Sequence, residues 1–581
     1  MSINVSKQHR EELLDKIKQI RNYIAKAPQD ANTGNLLQYL DEITKDVKGK
    51  KYGLVFEQHR EQIDETLETH LPVLTERKDL FIDNGDKMNF LIEGDNLAAL
   101  KLLEKTHKGK IDVIYIDPPY NTGSDDFQYD DNYVNKDDLY VHSKWISFME
   151  SRLKKAACLL KDSGCILISI NENEVFGLKL LCDDIFGNDN YLTTFAVKVR
   201  HENRILKGDK DFHEVFEYLL FYRKSSKHKT SKRIFDNTSN EEYIWTIEEL
   251  DSPTEIIQMG NKNVSVFSPK QYSLKKAKPS EKNFKKISIR GSIKEGNSSG
   301  RFFMAHLSQF IGKKPGYVYK VENMGDDGYG YRYFIIPDKT NRKNGDYLQG
   351  VPQFRTETKD VPYANLLDFE QAFNNVGYEG DIEFRNGKKP IVFLQHCFDM
   401  SGLSHGSKFV LDFFAGSGST GHALLKYNEM KKCNHKFILC TNNENNICRD
   451  ITYERLKTVI TGKRKDDSDY NEHYTASLKY YKIDFVPISD KLYYEYADLL
   501  LLHIRELVEL ENGINFNGNN EIAIVLTDEE MEQFIAQPQN KVKVLYRGHN
   551  VLLTDEQEDY LRNNGIQVNV IPDYYYNELN K

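Results

Sequence analysis

The seven cysteines of this sequence include no C-x-x-C pair, which removes the usual zinc-ribbon spacing from consideration. Cys433, Cys440 and Cys448, even with His435 among them, stand too far apart to make either ligand pair. With Cys158, Cys165, Cys182 and Cys397 they read as buried free thiols of a reducing compartment, with no metal site expected. No stretch approaches the ~18 consecutive apolar residues of a membrane span. The opening "MSINVSKQHREELLDKIKQI" lacks the apolar segment of a secretion signal, so a soluble cytoplasmic chain with no membrane partner is expected. There is no G-x-x-x-x-G-K-[ST] loop, which excludes an ATP-driven motor of that type. Internal repeats and coiled-coil heptads are missing too. What remains, 39% hydrophobic and 12% aromatic, is the composition of a globular protein. At 581 residues the chain is long for one core, and ~150 residues per domain suggests about four units.

A net charge of -9 argues at first against a polyanionic partner, but the charge is unevenly spread. From Asp490 to Lys581 there are 17 acids against 7 bases, which accounts for the whole excess. From Lys198 to Arg290 there are 20 bases against 13 acids, and Lys262 to Arg290 carries nine bases with Glu281 as its one acid. Such a local stripe suits phosphate binding, although a solvated lysine-rich loop would look the same. Lys275, Lys276, Lys285, Lys286 and Arg290 are the phosphate-contact candidates.

Five stretches follow from periodicity. Residues 1–85 read as helical, with apolar residues at i, i+3 and i+4 in "HREELLDKIKQIRNYIAKA" and "NLLQYLDEITKDV". Over 86–224, strands ("MNFLIEG", "IDVIYID", "CILISI", "EYLLFYRK") alternate with helices, which implies a mainly parallel sheet covered on both faces. Over 225–380 the rhythm fails, and "GDDGYGYRYFIIP" marks an inserted, irregular or β-rich unit. The alternation resumes over 381–484, and 485–581 reads as an acidic α/β tail.

Two stretches carry chemistry. In "IDVIYIDPPYNTGSDDF" a run of mostly β-branched residues ends in an acid, two prolines and a tyrosine. Proline fixes φ near -65° and has no N–H, so Pro118 and Pro119 make a rigid loop at little entropic cost. The bland reading is a polar loop capping a buried strand. In "VLDFFAGSGSTGHALL" Gly416, Gly418 and Gly421 satisfy G-x-G-x-x-G between strand and helix, the nucleotide-binding turn of a doubly wound sheet. This turn fits NAD as well as S-adenosylmethionine. Asp412 and Phe414 before the glycines, and the lack of an evident hydride-transfer domain, favour the methyl donor.

Together, "DPPY" at 117–120 and "FAGSGS" at 414–419 are the paired signatures of amino-methyltransferases. The sequence resembles adenine-N6 DNA methyltransferases of the permuted (β) order, and more closely the modification (Mod) subunits of Type III restriction-modification systems. "LIEGDNLAALKLL", "GCILISINENE", "HEVFEYLLFYRK", "KKPIVFLQ" and "VIPDYYYNEL" carry that resemblance, which covers nearly the whole chain and is weakest over 225–380. It implies an α/β fold with a Rossmann-like seven-stranded methyltransferase sheet in circularly permuted motif order. Around that sheet it implies a helical N-terminal region, an inserted target-recognition domain at 225–380 and a C-terminal α/β domain.

The resemblance also implies roles. Asp117 and the Pro118 carbonyl would grip the two N–H bonds of a flipped-out adenine amine, and Tyr120 would stack on the base. Tyr129 and Tyr133 are candidates for lining the base pocket. Phe414, Ala415, Gly416, Ser417 and Gly418 would wrap the methionine part of S-adenosylmethionine, beside Asp412 and Asp117. Asp95 would contact the cofactor adenine, with Leu97 as a wall, although Asp95 equally suits a helix N-cap. Lys389 and Pro390 match the motif before the glycine turn. The ribose would fall to Glu444, Asn442 or Asn443. Double-stranded DNA, a second copy of the chain and a helicase-nuclease (Res) subunit are the implied partners. A solitary adenine methyltransferase, a cytosine-N4 methyltransferase and a catalytically silent DNA-binding module are the alternatives.

Overall fold

A computed structural model describes the chain except for 1–4, 27–32, 49–55, 57, 86–87, 123–140, 204–210, 290–297, 339–343, 385–386, 404–405, 489–493, 517–518, 538–540 and 577–581. Arg290, Tyr129 and Tyr133 therefore lie outside the described residues. The chain divides into two compact units, Met1–Ser231 with Ala364–Lys581, and Lys232–Tyr363.

The first unit is built on a ten-stranded sheet. Its strands are β1 (His70–Glu76), β2 (Met88–Glu93), β3 (Ile111–Ile116), β4 (Leu160–Ile170) and β5 (Tyr191–Lys198). They continue with β6 (Phe216–Arg223), β7 (Leu366–Asp368), β8 (Phe409–Asp412), β9 (Lys436–Thr441) and β10 (Ser477–Pro487). Their spatial order is β1-β10-β2-β9-β8-β3-β4-β6-β5-β7. The run from β2 to β5 is the seven-stranded sheet expected of the family, and β6 alone within it is antiparallel to its neighbours. Continuous apolar runs make these strands buried on both faces: every residue of β2 is buried, and β3 is buried apart from Asp112.

Three strands extend this sheet beyond seven. Strand β1 corrects the all-helical reading of residues 1–85. Helices span Val5–Lys26, Thr33–Lys48 and Gln62–Thr69, but His70–Glu76 pairs antiparallel with β10. Pro72 is tolerated because β1 is an edge strand. At the other edge, three-residue β7 pairs with β5 and is too short to show a period.

Helices cover the sheet, among them α1 (Asn96–His107), α2 (Val141–Leu159), α3 (Val175–Phe186), α4 (Ile391–Met400), α5 (Ser419–Lys431) and α6 (Glu454–Thr461). Among the described residues no helix is long and apolar enough to cross a membrane. The acidic tail forms a three-stranded parallel sheet from Ile522–Val525, Val544–Gly548 and Gln567–Ile571. Six cysteines are buried, whereas Cys158 is exposed, against the expectation that all seven are buried.

The second unit is β-rich. Six antiparallel strands run in the order Lys285–Ser288, Asp346–Gln349, Tyr331–Ile335, Val318–Glu322, Lys262–Phe267 and Glu255–Met259. The aromatic and β-branched residues of "GYRYFII" suit such a half-buried pleated surface. Val264, Val266, Tyr319, Val321 and Phe334 form its core.

Candidate active site

β3 and β8 are adjacent and parallel, with Val113 opposite Val410 and Ile114 opposite Leu411. Their carboxyl ends therefore leave the sheet side by side, which sets the D-P-P-Y loop against the glycine turn. The strand order also reverses here: β8 is followed outward by β9 and β2, and β3 by β4. Such a switch point opens a crevice in a doubly wound sheet.

The glycine turn has separable local causes. Gly416 and Gly418 take φ of +48° and +74°, the left-handed region that glycine enters without penalty. A Cβ on Gly418 would sit 3.2 Å from Thr452 Cγ2, and one on Gly421 would sit 2.9 Å from both Leu439 Cδ1 and Leu456 Cδ2. The third glycine thus lets α5 pack closely on β9 and α6. Asp412 is buried and holds the turn from below: Oδ1 accepts from the Phe414 amide (2.9 Å) and Oδ2 from Thr420 Oγ1 (2.6 Å). Burial pushes its carboxyl up to about 7. Phe414, Ala415 and Ser417 are buried in the turn, and Arg455, also buried, donates from Nη1 to Ser419 Oγ (2.6 Å).

On the other side of the crevice the D-P-P-Y loop is anchored by Trp145, whose Nε1 donates to the Pro119 carbonyl (2.8 Å). Pro118 is buried. Asp117 Oδ2 lies 3.0 Å from Lys389 Nζ. Asp117 Oδ1 is buried without a hydrogen-bond partner. An unpaired acceptor in a dry site is costly, and such atoms concentrate where a ligand supplies the missing donor. Burial raises the Asp117 carboxyl to about 6; Lys389 pulls it down and Glu217 pushes it up. Lys389 also reaches Tyr120 Oη (2.9 Å) and Glu217 (3.3 Å), and Tyr120 Oη donates to Glu217 Oε2 (3.0 Å). Burial disfavours the ammonium, but Asp117 and Glu217 more than offset this and raise its pKa.

Asp95 is the N-cap of α1, accepting from the Leu97 amide (2.8 Å) and the Ala98 amide (3.3 Å). The N-cap reading therefore holds, while Asp95 also lines a cleft of about 590 Å³ with His59, Glu61 and Lys144. Leu97 is buried. Buried Arg152 ties this region together through Asn96 Oδ1, Glu61 Oε1 (2.6 Å) and the Phe148 carbonyl (2.9 Å). Asn96 Nδ2 in turn donates to the Phe413 carbonyl (3.1 Å). At the end of β9, Glu444 is exposed and accepts from Asn442 Nδ2 (3.4 Å). Asn443 Oδ1 accepts from the Arg449 amide (3.1 Å), and Asn442 Oδ1 is buried without a partner.

The fold therefore gathers Asp117, Tyr120 and Lys389 directly and brings the glycine turn beside them. Pro390 follows as the N-cap residue of α4. Sequence reading missed Glu217, Trp145 and Arg152. Glu217 is one of 88 acidic residues, and nothing local to "FEYLLFYR" marks it as part of a site.

Of the phosphate candidates, all in the second unit, Lys285 is paired with Glu242 (2.5 Å) and Lys286 with Asp346 (3.2 Å). Lys275 and Lys276 lie on the strand Tyr272–Lys276, and Lys276 and Lys286 both stand over the Trp245 ring, 5.4 and 5.2 Å from its centre.

Comparison with known proteins fits this geometry. A family model described as "DNA methylase" matches residues 111–454, more than half of the chain. The chain belongs to the DNA methylase family. This methylase is 30% identical over 422 residues to a Haemophilus influenzae protein named "Probable type III restriction-modification enzyme HindVI Mod subunit". That match covers 66% of this chain and 52% of the relative, so the chain spans about half of the relative's length. It is 27% identical over 407 residues to the Type II methyltransferase M.KpnI of Klebsiella pneumoniae, covering 68% of this chain and 90% of that enzyme. Among solved structures the PvuII DNA methyltransferase (cytosine-N4-specific) aligns over 65% of this chain and 94% of its own, at 11% identity and a TM-score of 0.29.

Proposed function

We propose that this methylase transfers a methyl group from S-adenosylmethionine to the N6 amine of a flipped-out adenine in double-stranded DNA. In this reading it is the modification and specificity subunit of a Type III restriction-modification system. The observation that carries the reading is the meeting of the D-P-P-Y loop and the glycine turn at the ends of two adjacent strands, where Asp117 Oδ1 is buried without a hydrogen-bond partner.

S-adenosylmethionine would supply a methyl group already activated on a sulfonium. The chain's residues fit it: Gly416 and Gly418 let the backbone take the left-handed bends of the turn, and Asp412 fixes the turn's shape. Phe414, Ala415, Gly416, Ser417 and Gly418 would hold the methionine end, beside Lys389 and Pro390. Asp95 and Leu97 would meet the adenine, and Asn442, Asn443 or Glu444 the ribose.

An adenine amine is a poor nucleophile because its lone pair is delocalised into the ring. Asp117 Oδ1 and the Pro118 carbonyl, accepting its two N–H bonds, would aim that lone pair toward the methyl group. Tyr120 would offer a ring for the extruded base, worth ~1–3 kcal/mol by analogy with single-strand binders. Trp145 and the two prolines hold the loop still, so most of the acceleration would come from in-line positioning in a dry pocket.

The Type III assignment follows the sequence resemblance and the Haemophilus relative's name, and implies a helicase-nuclease partner, self-association as a dimer, and a cytoplasmic site of action. The 90% coverage of M.KpnI favours a second reading, a methyltransferase acting without that partner. The test is transfer of labelled methyl to DNA, followed by sequencing of the modified bases, with Asp117→Ala as control. N6-methyladenine in one short motif is expected. No transfer, methylation of cytosine N4, or full activity of Asp117→Ala would each refute the reading.

A further inference from the structure

We propose that Glu217 sets the net charge of the methyl-transfer site, so that the site prefers the cationic sulfonium donor to the neutral thioether left after transfer. This deepens the proposed function and rests on it.

The geometry is a closed cluster. One buried ammonium, Lys389 Nζ, lies 3.0 Å from Asp117 and 3.3 Å from Glu217, and donates to Tyr120 Oη at 2.9 Å. The Asp117 and Glu217 side chains are only 18% and 17% exposed, so solvent screens the cluster poorly. Had the site needed only to neutralise Lys389, Asp117 alone would suffice. The second carboxylate brings the cluster of Lys389, Asp117 and Glu217 to -1. The nearby strand β8 adds the carboxylate of Asp412, held by the Phe414 amide and Thr420, as a background charge common to every variant, and β3 contributes Tyr115, whose hydroxyl is bonded to Ser169.

Methyl transfer breaks a carbon–sulfur bond as the carbon–nitrogen bond forms, and the positive charge passes from sulfur to the amine. The amine then sheds one proton, for which Asp117 Oδ1 is the facing acceptor. Without Glu217 the Lys389–Asp117 pair would cancel and add no attraction for that travelling charge. Glu217 restores it without touching the reacting atoms, because its own contacts are Lys389 and Tyr120. It is therefore a positioning residue that acts through charge, and it also keeps Lys389 from being spent on Asp117 alone.

The experiment is calorimetric titration of the full chain, at a pH near 8, with S-adenosylmethionine and separately with S-adenosylhomocysteine. Glu217→Gln is expected to weaken the methyl donor about tenfold and the product much less, so that the ratio of the two dissociation constants shifts. Glu217→Asp should restore the ratio. Tyr120→Phe, which removes the hydroxyl contact but keeps the charge, should leave it unchanged. Equal weakening of both ligands by Glu217→Gln would overturn the inference alone, as would a ratio that moves as far in Tyr120→Phe. Wild-type protein that binds neither ligand would overturn the proposed function as well. Thermal melting checks folding of each variant, and Glu217→Ser reads the same ratio if Glu217→Gln does not fold.

Discussion

If Asp117 must be ionised to grip the amine, lowering the pH should switch the enzyme off in a way that its neighbours specify. Burial holds the Asp117 carboxyl at about 6, more than two units above an ordinary aspartate. At pH 5 about one tenth of it would remain ionised, so methylation should fall roughly tenfold from that group alone. Asp412, at the end of the adjacent strand β8, is pushed by burial to about 7. Protonating it would disturb the bonds to the Phe414 amide and Thr420 that shape the glycine turn. The charge of Asp117 adds to the rise of the Asp412 carboxyl. With both groups required, the logarithm of kcat/KM should fall with a slope approaching two below about pH 6. Asp117→Asn keeps a carbonyl oxygen that can accept one N–H and removes one titration. Its activity should be lower, by about 100-fold, the scale of losing one preorganised hydrogen-bonding group, and its acid limb should have a slope near one. The assay is incorporation of labelled methyl into DNA between pH 4.5 and 8.5. An Asp117→Asn profile with the wild-type slope would refute the role given to Asp117.

Three further outcomes are expected. Gly421→Ala would gain about 1 kcal/mol of helix propensity, yet its Cβ would meet two leucine methyls at 2.9 Å, an overpacking that costs ~1–3 kcal/mol; a lowered melting temperature is expected and a raised one would contradict the packing argument. Replacing Lys275 and Lys276 by Gln should reduce the salt dependence of DNA binding more than replacing Lys285 and Lys286, because the latter pair already faces Glu242 and Asp346; equal slopes would count against this. His422 is held down to about 4 by burial, and Glu472 to about 2, chiefly through its hydrogen bond from His422. Both folded values lie below the unfolded ones, so the unfolded chain takes up protons first as pH falls. The His422 contribution is present above about pH 6.5 and lost toward 4, and the Glu472 contribution is lost from about 4.5 downward. Melting followed from pH 7.5 to 4.5 should show the first loss, and His422→Gln should flatten it.

The sequence by itself determined the local chemistry of this protein. The apolar runs of β2, β3 and β9 specify buried strands, because polar alternation is missing from them. The prolines after Asp117 dictate a rigid loop, Gly416 and Gly418 dictate a left-handed turn that glycine makes without penalty, and Gly421 lets the following helix pack closely. Asp95 was legible both as a cap and as a ligand candidate, and the N-cap part is met by the structure. Only the tertiary structure decided what those pieces stand beside. The pairing of β3 with β8 joins positions almost three hundred residues apart, and parallel register is set by long crossovers that leave no local trace. Glu217, Lys389 and Asp117 come from three distant segments, and none carries a periodic signal that marks it for burial. The edge strand at His70–Glu76 likewise owes its form to β10, four hundred residues later. Covalent spacing writes turns and periods into a sequence, whereas the electrostatics of a site come from groups brought together through space, where desolvation makes each charge count.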